Sequence, residues 1–162
     1  MENNLQSKEF LEVRETGIYG LGLFATQDIP EGEVVYDFSQ GRIHEAEKTS
    51  TLPKEIADYA VQFDEHKWVD TAGIGRYLNH SCEPNCGIRD LFKVVAMRNI
   101  ATGEQITFDY EMTEDSDWTI ECKCGSASCR KIIGTYKNMP VETRKKYNGY
   151  ISEWLKQKYL SI

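Results

Sequence analysis

No stretch of the chain stays apolar for the ~20 residues that a membrane-crossing helix needs, so a helical span is excluded. The opening run MENNLQSKEF has neither the basic start nor the apolar stretch of a secretory signal, and the expectation is a soluble, intracellular protein with no membrane partner. Histidine is scarce, with three in 162 residues, and neither His44 nor His66 has a neighbouring pattern of metal ligands, so both read as surface residues. Convincing helical periodicity is missing before residue 135. Positive charge is in deficit, with 19 Lys and Arg against 26 Asp and Glu. The shortfall is uneven, because residues 135–162 hold six Lys or Arg and two Glu, which divides the net −7 into +4 there and −11 on residues 1–134. An acidic body repels phosphate backbones, which argues against direct nucleic-acid binding by the main domain. It attracts a basic peptide, although acidic surface also serves plain solubility.

The length is that of one domain with a sizeable core. Short β-prone runs separated by Gly, Pro and Asn turns fill the first 110 residues: Phe10–Val13, the glycine-punctuated Gly17–Ala25, Val34–Phe38, Lys67–Asp70 and Lys93–Met97. They predict a mainly β fold with short helices. Residues 42–66 are polar and acidic, with a short helix entered at Pro53. From Met139 onward Tyr147, Tyr150, Ile151, Trp154, Leu155 and Tyr159 recur at helical intervals, with lysines between them. That pattern predicts an amphipathic helical tail over 135–162, its apolar face covering the same chain's core or forming a dimer contact.

Three segments carry chemistry. Arg76-Tyr-Leu-Asn-His-Ser-Cys-Glu-Pro-Asn-Cys86 is dense in hydrogen-bonding groups and turn formers, and reads as a shaped loop. Gly103-Glu-Gln-Ile-Thr-Phe-Asp-Tyr110 reads as a strand that delivers Tyr110 to its end. Cys122, Cys124 and Cys129 are three clustered thiols, and Cys82 or Cys86 supplies the fourth ligand of a tetrahedral zinc site. Disulfides are disfavoured in a reducing compartment. Four thiolates leave no open position for water, which excludes a zinc hydrolase.

Together, from about Phe10 to about Gly134, these segments resemble the signature motifs of SET-domain protein lysine methyltransferases with a zinc-binding post-SET module. The resemblance implies several small sheets around a pseudoknotted core. It divides the chain into a SET domain over 1–117 with a variable insert at about 42–66, a post-SET module over 118–134, and the helical tail. It selects Cys82 with Cys122, Cys124 and Cys129 for the zinc, leaving Cys86 a free buried thiol. It implies S-adenosyl-L-methionine as cofactor, met by Tyr19, Gly20 and Leu21 through the main chain and by Asn79 and His80, with Arg76 a carboxylate or structural partner nearby. Taken alone, the glycines read equally as a hairpin and His80 as a core histidine. One departure is visible: many family members have a tyrosine and then Gly-Glu after the strand at 34–38, where this chain has Phe38-Ser39-Gln40-Gly41.

Methyl transfer to lysine needs a neutral amine aimed at the methyl, whereas free lysine is protonated near pH 7. A narrow aromatic channel disfavours the ammonium and restricts the approach. Phe108, Tyr110, Trp118 and Tyr136 are candidates to line it, and Trp118 is also placed against the cofactor. Tyr110 matches the family's catalytic tyrosine. The substrate class implied is a basic, histone-tail-like peptide, in a nuclear or chromatin setting for a eukaryotic protein. Phe108, which lacks a hydroxyl to anchor a water, implies di- or trimethyl product. Asp58, Asp64 and Glu65 are available to a basic substrate, with a solvated face the simpler reading. The alternative function is a catalytically idle module that binds a partner through the same groove.

Overall fold

The computed structural model describes residues 9–18, 20–71 and 73–160. Strands β1 (Leu11–Glu15) and β2 (Leu21–Ala25) form an antiparallel pair with Val13 opposite Leu23. After β3 (Val34–Asp37) a 3-10 turn begins at Phe38. The insert then supplies β4 (Arg42–Glu45), α1 (Lys54–Ala57) and β5 (Ala60–Asp64). With β6 (Lys67–Asp70) these strands make a sheet of order β4-β6-β5. The short helix does follow Pro53; the flanking strand β4 is polar in sequence, and β5 is a short apolar run inside a segment read as polar. Their partner β6 supplies the buried Trp68 and Val69 on which they pair.

The central sheet gathers β3, β7 (Asn79–His80), β8 (Cys86–Arg89), β9 (Lys93–Ala96) and β10 (Thr107–Phe108) in the order β3-β9-β8-β10-β7. Ile88, Val94, Val95 and Ala96 are all sealed from solvent, as expected where a sheet is covered on both faces. β10 runs parallel to both β7 and β8, lying between two strands joined by the Ser81–Asn85 loop. The loop must therefore pass across β10, and this is the threaded core that the resemblance implies. Asn85 fixes the crossing: its Nδ2 donates to Gln105 O at 2.8 Å, and its Oδ1 accepts from Thr107 N at 3.0 Å.

That side chain also corrects the expectation of one strand from Gly103 to Tyr110. An amide side chain takes the backbone groups a neighbouring strand would have used, and regular pairing survives only at Thr107–Phe108. Tyr110 opens a 3-10 turn, Tyr110–Met112, capped by the Asp109 carboxylate accepting from Glu111 N at 3.1 Å.

Beyond it lie β11 (Ile120–Glu121) and β12 (Ile132–Ile133), an antiparallel pair, then α2 (Val141–Lys146) and α3 (Glu153–Leu160). The tail is two helices, broken over 147–152, where the sequence periodicity suggested one face. The break lets backbone groups reach the core directly: Ile88 N donates to Tyr150 O at 2.9 Å and Ser152 N to Met112 O at 2.9 Å. Tyr147, Ile151, Trp154 and Leu155 are buried in the same cluster as Leu23, Val94 and Phe108, so the tail's apolar side chains complete the chain's own core. Burying side chains of this size contributes roughly 1.5–3 kcal/mol each. Among the described residues no helix is long and apolar enough to cross a membrane.

Candidate active site

Two cavities meet at Tyr110. The smaller, about 50 Å³, is bounded by Phe38, Leu78, Phe108 and Tyr110 at its aromatic end and by residues of α1 and β5 on the other side. The larger, about 370 Å³, is lined by Asn79, His80, Cys122 and Ile133 among others. Asp58, Tyr59, Arg76, Tyr110 and Trp118 line both. The aromatic end is built by contact: ring centroids lie 6.2 Å apart for Phe38 and Phe108, 5.0 Å for Phe108 and Tyr110, and 5.9 Å for Tyr110 and Trp118. Phe38, where the sequence departs from the family pattern, is thus part of the wall, and Phe108 and Tyr110 adjoin even though Tyr110 has left the strand. Gly75 completes the wall because a Cβ there would sit 2.5 Å from the Tyr36 ring. The Tyr110 hydroxyl is oriented by donating to Leu78 O at 2.7 Å.

Arg76 is fixed twice, by Nη2 on both oxygens of Asp70 at 3.1 and 3.0 Å and by stacking on Tyr59, its guanidinium carbon 4.9 Å from the ring centroid. Asn79 Nδ2 donates to Leu21 O at 3.0 Å, and Gly22 allows the approach, since a Cβ there would lie 3.0 Å from that nitrogen. Gly20 and Leu21 are not among the residues lining either cavity, and Leu21 reaches the larger one through Asn79. Tyr19 lies outside the described residues. Tyr136 is also absent from both linings; it packs against Tyr159 and under Arg144 instead. Of the acidic candidates, Asp58 faces both cavities while paired to Lys54, and Glu65 is held by Lys158. Asp64, exposed at the end of β5, lines neither. His66 is exposed, but His44 is half-buried with Nε2 lacking a partner, because its strand β4 packs into a sheet.

His80 serves the protein from inside. Burial first, and the Arg130 charge second, depress it to about 3, so the ring is neutral. Nδ1 accepts from Tyr110 N at 3.1 Å, which puts the ring proton on Nε2, 3.3 Å from Cys82 Sγ. The histidine therefore links the Tyr110 turn to the cysteine cluster while one face of it lines the larger cavity.

Cys82, Cys122, Cys124 and Cys129 have sulfurs all within 4.8 Å of one another, and Cys86 is not among them. A tetrahedral ion with metal–sulfur bonds of ~2.3 Å requires sulfurs about 3.8 Å apart. The Cys82–Cys122 separation is 3.8 Å, so the four thiols fit a structural zinc. Burial raises the Cys82 thiol, and a divalent cation is the group that offsets this by stabilising the thiolate.

Sequence reasoning missed the clamp beside this cluster. Arg130 Nη2 lies 2.8 Å from both oxygens of Asp109 and 3.0 Å from Glu111 Oε2, and Glu111 Oε1 accepts from Gly134 N at 2.9 Å. Both carboxylates are sealed from solvent, and they flank Tyr110 on either side. The available signal was Arg130 following the last cysteine directly and two acids bracketing the tyrosine.

The family model described as SET domain matches residues 20–111, more than half the chain. The chain belongs to the SET domain family. It is 32% identical over 142 residues to "Histone-lysine N-methyltransferase 2B" of Homo sapiens, the match covering 78% of this chain and 5% of that protein. It is 34% identical over 144 residues to "Histone-lysine N-methyltransferase trithorax" of Drosophila virilis, covering 78% of this chain and 4% of that one. It thus spans only about a twentieth of these SET-domain relatives. Among solved structures, KRYPTONITE in complex with mCHG DNA and SAH is similar, with TM-score 0.60 and 26% identity over 75% of this chain and 28% of that one. A second KRYPTONITE structure, with mCHH DNA, H3(1–15) peptide and SAH, has TM-score 0.58 and 27% identity, covering 75% of this chain and 29% of that one. The mainly β architecture of small sheets is that of the SET fold.

Proposed function

We propose that the chain transfers a methyl group from S-adenosyl-L-methionine to a lysine side chain of a basic, histone-tail-like peptide, in a nuclear or chromatin-associated setting. One observation carries the reading: a narrow aromatic cavity and a larger one that reaches Asn79 and His80 share Tyr110 and Trp118. The histone-lysine N-methyltransferase relatives and the SAH and H3 peptide held by KRYPTONITE support it. In this reading the larger cavity receives the cofactor along Asn79, His80, Arg76 and Trp118, and the cofactor when bound supplies an electrophilic methyl on a sulfonium. The smaller cavity takes the lysine. Phe38, Phe108 and Trp118 exclude water there and disfavour the ammonium, so the amine is presented neutral. The Tyr110 hydroxyl, fixed by Leu78 O, orients the amine. Zinc on Cys82, Cys122, Cys124 and Cys129 holds the wall that carries Trp118, Ile120 and Ile133.

Phe108 offers no hydroxyl to retain a water in the space that a methylated amine needs, so the product is di- or trimethyl-lysine. The test is transfer of labelled methyl to a panel of histones and cell extract, with products resolved by mass spectrometry. We expect Tyr110→Phe to lower the rate about 10²–10³-fold and Phe108→Tyr to shift product toward monomethyl-lysine. Peptide binding without transfer to any substrate would make the chain a binding module; exclusively monomethyl product from the wild type would overturn the product assignment.

A further inference from the structure

The mechanism above leaves one buried carboxyl of the smaller cavity unused. Glu114 lies four residues past Tyr110 and lines that cavity, yet is only 6% exposed. Its backbone is fixed on both sides, with N donating to Tyr110 O at 3.1 Å and O accepting from Tyr136 N at 2.7 Å. Its side chain is fixed at one oxygen only: Oε1 accepts from Thr49 Oγ1 at 2.9 Å and from Ser116 N at 3.2 Å. Oε2 makes no hydrogen bond or ion pair among the described residues.

A carboxylate so deeply buried ordinarily has a cation beside it. Here the neighbouring cations are committed elsewhere. Arg76 is held by Asp70 and Tyr59, Lys54 by Asp58, and Lys158 by Glu65 and Asp115. The remaining titratable groups around Glu114 are acids or phenols. Asp115 and Asp117 are on its own segment, Asp58 and Tyr59 follow α1, Tyr110 stands at the channel, and Tyr136 and Tyr159 reach in from the tail side. The cavity therefore carries a carboxyl group fixed at one oxygen and unpaired at the other, and the one cation in its lining, Arg76, directs its hydrogen bonds to Asp70 instead.

We propose that Glu114 is a specificity residue, its Oε2 receiving a basic side chain that neighbours the target lysine in the substrate peptide. The assignment rests on the smaller cavity being the peptide's. The target lysine itself is the wrong occupant, because a carboxylate at the reacting amine stabilises the ammonium, and transfer needs the neutral amine. A guanidinium or ammonium one position away gains a charge-assisted hydrogen bond in a water-poor site.

The test measures binding rather than turnover. The full chain, with S-adenosylhomocysteine present, is titrated with paired peptides that differ only in arginine against citrulline, a neutral isostere, at the positions flanking a lysine. The wild type is expected to favour the arginine peptide about tenfold or more at pH 8. Burial pushes Glu114 up to about 7, so this preference shrinks at pH 6 as the carboxyl takes a proton, while arginine does not titrate. Glu114→Gln brings the ratio to within about twofold of unity at both pH values. The wild-type pH response needs no variant, so a misfolded Glu114→Gln leaves the test intact. Equal binding of both peptides by the wild type, or a full preference kept by Glu114→Gln, overturns the proposal. A Glu114-dependent preference in a chain that transfers no methyl would sink the methyltransferase reading and leave this one standing; transfer without the preference does the reverse.

Discussion

The two walls of the site are held by different physics. On one side, Leu78, Phe38 and Phe108 belong to a large buried apolar cluster that runs from β2 to Leu155 in α3. On the other, the segment carrying Trp118, Ile120 and Ile133 has a satellite cluster whose buried members are Cys82, Cys122 and Ile133. A cluster of that size contributes a few kcal/mol by burial, too little to order seventeen residues against backbone entropy of roughly 1–2 kcal/mol each. The cysteine wall therefore needs further ties: the Arg130 clamp is one, and an ion on the four thiols, whose spacing fits one, would be another. The lesson is that the candidate site has one permanent face and one conditional face, with Tyr110 standing at the junction.

The comparison is broken most severely at the metal. Structural zinc contributes on the order of 10–16 kcal/mol in small zinc-binding peptides. Cys124→Ser is expected to release the ion, measured by elemental analysis, and to expose amides of residues 118–134 to rapid hydrogen exchange while the central sheet stays protected. Cys86→Ser, outside the cluster, is expected to keep one ion per chain. Loss of protection across the whole sheet in Cys124→Ser would mean that the two walls are a single unit.

Next in size is the clamp. Arg130→Met leaves Asp109 and Glu111 buried without their cation, which costs about 3–5 kcal/mol, read from the denaturant midpoint. Because zinc ligation is untouched, the ion should remain, which separates the ionic tie from the metallic one. A midpoint shift equivalent to less than 1 kcal/mol would show that the metal alone holds the wall.

The smallest effect probes the packed side. Glu114 has its carboxyl raised from 4.5 to about 7, chiefly by burial. A group raised in the folded state favours folding most when protonated, so this contribution is fully present below about 4.5 and is lost as pH rises through about 7. The loss amounts to about 3 kcal/mol at most. Glu114→Gln should remove it, flattening stability between pH 5 and 8 in urea titrations; an unchanged pH profile in the variant would show that another group governs that range.

Much of the permanent face was legible in the sequence because it follows periodicity. The runs at 34–38, 67–70 and 93–97 became β3, β6 and β9 within a residue or two, and the 139–159 pattern did supply core side chains. What escaped was set by tertiary partners. The strand expected up to Tyr110 was shortened by Asn85, twenty residues upstream of Gln105, whose amide takes over the backbone pairing. β4 lies in polar sequence and β5 is a short apolar run beside it, and both become strands by pairing with β6. Among site residues, Cys122, Cys124 and Cys129 are marked by their spacing, while Cys82, Tyr110, Phe108, Asn79 and His80 are marked by the family resemblance, and the structure gathers all of them around the junction. Tyr136 does not, because its aromatic character alone cannot say that Tyr159 and Arg144 claim it. Glu114 was invisible, and Arg130 and Glu111 showed only in their places beside Cys129 and Tyr110, as a charged residue discloses its burial only when its partners are known.

The position of β10 between β7 and β8 dictates an order of assembly. Residues 107–108 must occupy their slot before or as the 81–85 loop is drawn across them, and neither β7 nor β8 can gain β10 as a neighbour until those residues have been made. Such non-local pairing carries a loop-closure cost before it is rewarded, so the insertion of β10 is late and slow, whereas the β1–β2, β5–β6 and β8–β9 hairpins need only nearby residues. The asparagine at the crossing acts as the latch on that last step. A nascent chain paused before residue 107 would lack β10 and leave an unfilled gap between β7 and β8, with unpaired strand edges exposed.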